Sequence, residues 1–158
     1  MKIKFDVLAY LTMCSIIVLM LAMTVAHAKA EPTIMVLPII KVIDGDTIKT
    51  EFTMLPPELR SVSIRILGID TPEKKPRAKC LHEHVLAVKA SDFVKSLVTE
   101  KNQTMKATNI KADKYGGRYD ADVIIAGKDV AKELIALGYA RPYDGGKKSD
   151  WCVQEVIQ

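Results

Sequence analysis

Arginine, aromatic side chains and cysteine are all scarce in this chain. Of 158 residues five are Arg, three are Cys and one is Trp, and aromatics make up 6%. The cysteines have no Cys or His partners at ligand spacing, which excludes a zinc-ribbon or zinc-finger site. No internal repeat or low-complexity segment is present, and the length is too short for a two-domain enzyme. A charged fraction of 27% excludes an integral membrane protein, and an apolar fraction of 49% excludes a disordered one. Mean hydropathy is nevertheless +0.10, so the apolar residues must be unevenly placed.

They are concentrated at the start. Residues 7–26 carry no charge, Lys2 and Lys4 precede them, and overlapping Ala-x-Ala sites (Ala26–Ala28, Ala28–Ala30) follow. This is the pattern of a Sec-type signal peptide, predicting a periplasmic or secreted domain. The run is also long enough to span a bilayer, so an N-terminal inner-membrane anchor is the competing reading. Cys14 does not mark a lipoprotein, because the apolar run continues past it and Met13 precedes it. The expected organisation is export segment 1–30, folded domain 31–143 and short tail 144–158. Removing Lys2, Lys4, Lys29 and Asp6 lowers the net charge from +4 to +2. Overall charge therefore says little about a nucleic-acid partner, and any such argument rests on local placement.

Cys80 and Cys152 remain as an even pair in an exported domain. A disulfide is the default there, with two buried thiols as the other reading.

The pattern of elements reads β-β-β-α-β-β-α. Residues 33–43 are β-branched and broken by Pro38, and Asp44-Gly45 is a hairpin signal before a strand at 46–54. Residues 61–69 alternate, with Val62, Ile64 and Ile66 on one face and Ser61, Ser63, Arg65 and Leu67 on the other. A Pro- and Lys-rich loop follows at 70–80. Residues 81–100 take helical period, with Leu86, Ala90, Phe93 and Leu97 on one face and Val94 and Val98 beside them. Strands at 103–111 and 119–126 flank a polar turn, and a helix at 129–137 stops at Gly138. The order predicts an α+β domain built on a five-stranded OB-type Greek-key barrel, a fold that binds nucleic acids or sugars.

Carboxylates cluster at two strand ends: Asp44 and Asp46 around Gly45, then Asp70 and Glu73. Neighbouring strand ends could converge them on one hard divalent cation; taken singly, each is also an ordinary turn or strand stop. Arg65 sits five residues before Asp70 on the polar face of its strand, and Arg118 closes Lys114-Tyr115-Gly116-Gly117. Arginine forks match phosphate oxygens, although a solvated basic hairpin tip has the same composition.

Taken together, I-D-G-D-T (43–47), R-I-L-G-I-D-T-P-E (65–73) and D-K-Y-G-G-R (113–118) resemble the staphylococcal-nuclease-like family, the thermonucleases. The resemblance runs from about residue 36 to 143 and implies the same SNase-like OB fold. It implies a calcium-dependent, sequence-nonspecific endonuclease that hydrolyses DNA and RNA to 3′-phosphate ends. Asp46, Asp70 and the Thr71 carbonyl would ligate Ca2+, with Asp44 behind them. Glu73 would orient or deprotonate the attacking water, and Arg65 and Arg118 would hold the scissile phosphate. Lys114 and Tyr115 would contact a neighbouring phosphate. The basic turn carries two glycines before its arginine where the best-known member has one, and that member's long final helix has no counterpart before Cys152. A Cys80–Cys152 bond would pin the tail in its place.

Further candidates are Tyr143, to stack on a base or close a strand end, and the basic loop Lys74, Lys75, Arg77 and Lys79. His82 and His84, beside Cys80, read as a solvated first helical turn rather than a metal site or histidine base, and Trp151 as a core cover near Cys152 rather than a stacking face. The domain is expected to be a monomer with no obligate protein partner and with nucleic acid as substrate. Two rival functions remain: a non-catalytic nucleic-acid-binding module, and a membrane-anchored accessory protein of a cell-envelope assembly.

Overall fold

The computed structural model describes residues 13–15 and 33–152. The expected export segment, 1–30, lies almost wholly outside the described residues, as do 153–158. Residues 13–15 are helical and belong to a separate unit, 1–31, from the domain at 32–158. Among the described residues no helix is long and apolar enough to cross a membrane.

Among the described residues the domain has nine strands: β1 Met35–Pro38, β2 Lys41–Val42, β3 Thr47–Glu51, β4 Ser61–Ile66, β5 Ile69–Asp70, β6 Thr104–Ala112, β7 Arg118–Ile125, β8 Lys128–Asp129 and β9 Arg141–Pro142. Two helices, α1 Leu81–Leu97 and α2 Val130–Ala136, and a 3-10 turn at Pro57–Leu59 complete it. The large sheet runs β1-β6-β7-β4-β3-β2, with β8 hairpinned onto β7 and β5 paired with β9 in a second, small sheet. All pairs are antiparallel except β4 with β7.

The architecture is the OB-like α+β arrangement that the element order predicts, but the strands do not form a fully closed barrel. The two ends of the sheet are pieces of one segment, 35–42. Its partner switches between adjacent residues: the Ile39 amide donates to Gln103 and the Ile40 amide to Lys49. Pro38 has no amide to donate, and its carbonyl instead accepts from the Thr50 hydroxyl at 2.6 Å. The sheet curls on itself there, and the ladder is interrupted.

β4 lies at the centre of the sheet because its alternation serves two faces. Val62, Ile64 and Ile66 are buried against Ile48, Met105, Val123 and Ile125, each such side chain contributing about 1.5–3 kcal/mol. The odd positions face the other way. Arg65 is therefore in register with Thr47 on β3 and with Asp120 on β7.

Helix α1 buries Glu83, Ala87, Ala90, Ser91, Val94 and Leu97. Of the expected face, Ala90 and Leu97 are buried with Val94 beside them, and Phe93 and Val98 pack part-buried against the core. Leu86 is only half-buried, because the first turns of the helix direct Glu83 and Ala87 inward instead. At Ala90 the helix meets Gly45. A Cβ on Gly45 would lie 2.7 Å from Ala90 Cβ and 3.1 Å from Thr71 Cγ2. The glycine is needed for close approach of loop and helix. It is not among the positive-φ residues, as the expected two-residue hairpin turn would require.

Candidate functional site

The three separated segments meet in one cleft of about 680 Å³. Asp44, Asp46, Thr71, Glu73, Arg65, Lys114, Tyr115, Arg118 and Tyr143 all line it. Asp70 does not. It ends β5 under the tail and faces a neighbouring cleft of about 380 Å³ shared with Tyr143.

The register of the sheet aims Arg65. Its Nη1 donates to Asp46 Oδ2 at 2.7 Å and its Nη2 to the Ile69 carbonyl at 3.3 Å. One guanidinium thus ties the loop after β2 to the start of β5. Burial works against its charge, but Asp46, Asp70 and Asp120 outweigh that and hold it firmly protonated. The other Asp46 oxygen accepts from the Thr47 hydroxyl at 2.8 Å. Asp44 accepts from the Asp46 amide. Burial, followed by the charge of Asp46, pushes the Asp44 carboxyl up to about 6.

Asp70 and Thr71 are buried. Asp70 Oδ2 accepts from the Trp151 indole N–H at 3.1 Å. Its Oδ1 accepts no well-directed hydrogen bond; the Lys148 ammonium lies 2.7 Å away without the alignment of one. Glu73 opens onto the cleft, paired with Arg77 Nε at 2.8 Å and 3.9 Å from Lys148. The loop carrying Thr71 and Glu73 is held from behind. Glu83, buried in the first turn of α1, accepts from the Glu73 amide at 3.3 Å and the Lys79 amide at 2.7 Å.

The basic turn presents Lys114, Tyr115 and Arg118 together. Both cations lie over the Tyr115 ring, Lys114 at 5.2 Å and Arg118 at 4.7 Å. Arg118 is also paired through Nε with Asp113. Burial favours the neutral Asp113 carboxyl, but Arg118 and the turn's own amides outweigh it and hold the group below the usual carboxylate range.

Cys80 and Cys152 are joined by a disulfide with Cα atoms 6.0 Å apart, so the two thiols are not free. Cys80 also caps α1, its Sγ accepting from the Glu83 amide. The bond brings the tail to the site, where β9 already pairs with β5 and the Tyr143 amide donates to the Gly68 carbonyl. His82 is exposed on the first turn, as expected, while His84 accepts from the Lys75 amide.

A family model described as Staphylococcal nuclease homologue matches residues 63–155. The chain belongs to the staphylococcal nuclease homologue family. Endonuclease YncB of Bacillus subtilis (strain 168) is 33% identical over 116 residues, which are 73% of this chain and 51% of that protein. The chain thus spans about half the length of that relative. The family match starts within β4 and takes in Arg65, the Asp70–Glu73 loop, the basic turn and the tail; it begins after the Asp44–Asp46 loop.

Sequence reasoning missed several groups of this nuclease-family cleft. Asp113 and Asp120 hold or face the two arginines, and Asp120 could have been found as the residue in register with Arg65. Lys148 and Trp151 carry no local signal, since only the tertiary path of the tail brings them to Asp70. Trp151 is buried, as expected of a cover, but its N–H serves a carboxylate.

Proposed function

We propose that this chain is an exported, calcium-dependent endonuclease that hydrolyses DNA and RNA without sequence preference, leaving 3′-phosphate ends. One observation carries the reading: a single cleft joins the buried Asp46, Glu73 and two arginines from three distant segments, with the buried Asp70 in the cleft beside it. The donor chemistry fits a hard cation. Asp70 is a buried carboxylate whose Oδ1 meets a cation, the Lys148 ammonium at 2.7 Å, and Asp46 and Thr71 are buried nearby. Asp46, Asp70 and the Thr71 carbonyl would hold Ca2+, with Asp44 adjacent. Bound there, the ion would supply positive charge against the reacting phosphate.

The chain's own groups account for the rest. Attack on a phosphodiester adds charge to a group already negative. Arg65 and Arg118 supply fixed positive charge for it, and Lys114 and Tyr115 hold an adjacent phosphate. Tyr143 offers a face for a base. Glu73 orients the water and accepts its proton. The new bond joins the water oxygen to phosphorus. The bond to the 5′ oxygen breaks, that oxygen takes a proton, and the phosphate stays on the 3′ side. A non-catalytic binding module would need only the basic and aromatic groups; the buried carboxylates favour cleavage.

The test is incubation of the purified chain with duplex DNA, single-stranded DNA and RNA, with calcium or a chelator, followed by analysis of the new ends. Cleavage only with calcium, giving 3′-phosphates, is expected. Absence of cleavage under every condition overturns the proposal.

A further inference from the structure

The C-terminal tail places a charge in the cleft that no local motif announces. Lys148 Nζ lies 2.7 Å from Asp70 Oδ1 and 3.9 Å from Glu73 Oε1. The ammonium therefore sits between two carboxylates, one of them 3% exposed. It is not there by chance of a free end. Trp151 donates to the other Asp70 oxygen at 3.1 Å. Arg141 donates to the Asp150 carbonyl at 3.0 Å and lies 4.1 Å over the Trp151 ring. Tyr143 donates its hydroxyl to the Gly146 carbonyl at 2.9 Å, and Cys152 is bonded to Cys80. The segment carrying Lys148 is thus fastened on both sides.

We infer that Lys148 is a tethered counter-cation that occupies Asp70 and competes with a divalent cation for it, so that the tail sets the cation affinity of the site. The inference rests on the calcium reading above. The physical reason is direct. Asp70 Oδ1 is buried, and the Lys148 ammonium is the cation in contact with it. A second cation on the same oxygen would meet a like charge at contact distance, and Lys148 must leave before it binds. Its side chain is 46% exposed, so leaving costs only what a partly solvated ion pair is worth. That sets the competition at about five-fold in affinity.

The test is calorimetric titration of calcium chloride into the metal-stripped full chain. Lys148→Met and Lys148→Gln should each bind calcium about five-fold more tightly than wild type. Lys148→Arg, which keeps the charge, should bind no more tightly than wild type, and so should Lys147→Met, which removes the same charge from the exposed neighbouring position. Equal affinities for wild type and Lys148→Met overturn the inference and leave the calcium reading intact. Weaker binding by Lys148→Met, or equal tightening by Lys147→Met, also overturns it. No calcium binding by any of the proteins overturns both.

Discussion

The contact between Trp151 and Asp70 joins positions 81 residues apart and is a buried polar pair at the edge of the cleft. Trp151 is 6% exposed and Asp70 3%, and the N–O distance is 3.1 Å. Trp151→Phe keeps a ring under Arg141 and removes the donor. A hydrogen bond to a charged group contributes about 1.5–3 kcal/mol, and the smaller ring loses about 1 kcal/mol of apolar contact. The expected loss is about 3 kcal/mol, or about 10 °C in melting temperature for a domain of this size. A double-mutant cycle with Asp70→Ala separates the two terms. Urea titration of wild type, both single variants and the double variant should give a coupling of about 1.5–3 kcal/mol. A coupling below about 0.5 kcal/mol, within the usual additivity of independent sites, would refute the claim that the indole holds the carboxylate.

The disulfide closes a separation of 72 residues, so reduction should lower stability by roughly 4 kcal/mol in the chain-entropy treatment; a urea midpoint unmoved by dithiothreitol contradicts this. Asp44 titrates near 3.8 when unfolded and at about 6 in the native domain, so the native state keeps its proton longer. Its contribution is full below about pH 4 and is lost as pH rises through about 6. In chelator, wild type should therefore lose on the order of 1–2 kcal/mol relative to Asp44→Asn between pH 4 and 7, and parallel stability curves would contradict the burial argument. Gly45→Ala should cost about 1–3 kcal/mol by overpacking against Ala90, with Ala90→Gly in the same chain recovering part of it; a neutral Gly45→Ala would contradict the close approach.

Much of the scaffold was legible because its signals are local. The two-residue period of β4 showed which side Ile64 buries and which side Arg65 presents, and both arrangements are found. Helix α1 was legible as a helix and, from Ala90 to Leu97, in its inward face; its first turns were not. Leu86 is the larger apolar residue there, yet Ala87 is the buried one, and at Ala90 a small residue is required because the Gly45 loop comes within contact distance. The turn 113–118 was legible as basic, while the pairing of Arg118 with Asp113 depends on the turn's closure. In β6 the register slips between Thr108 and Lys111, with Asn109 at φ 53°, and no strand pattern marks that bulge. The carboxylates of the cleft could be named from motif spacing. What neutralises Asp70 could not, because Lys148 and Trp151 reach it only through the path of β9 and the Cys80–Cys152 bond.

The central claim is that carboxylates and arginines converging on this cleft cleave phosphodiesters. Its most direct measurement is the initial rate of DNA cleavage by the purified chain in calcium, beside Glu73→Gln and Arg65→Ala at matched fold. Removing one preorganised charge from such a site costs about 10²–10³ in rate. The wild-type rate should be abolished by chelator, and each variant should lose at least that order of rate. Near-normal rates in either variant, or a wild-type rate indifferent to calcium, would contradict it.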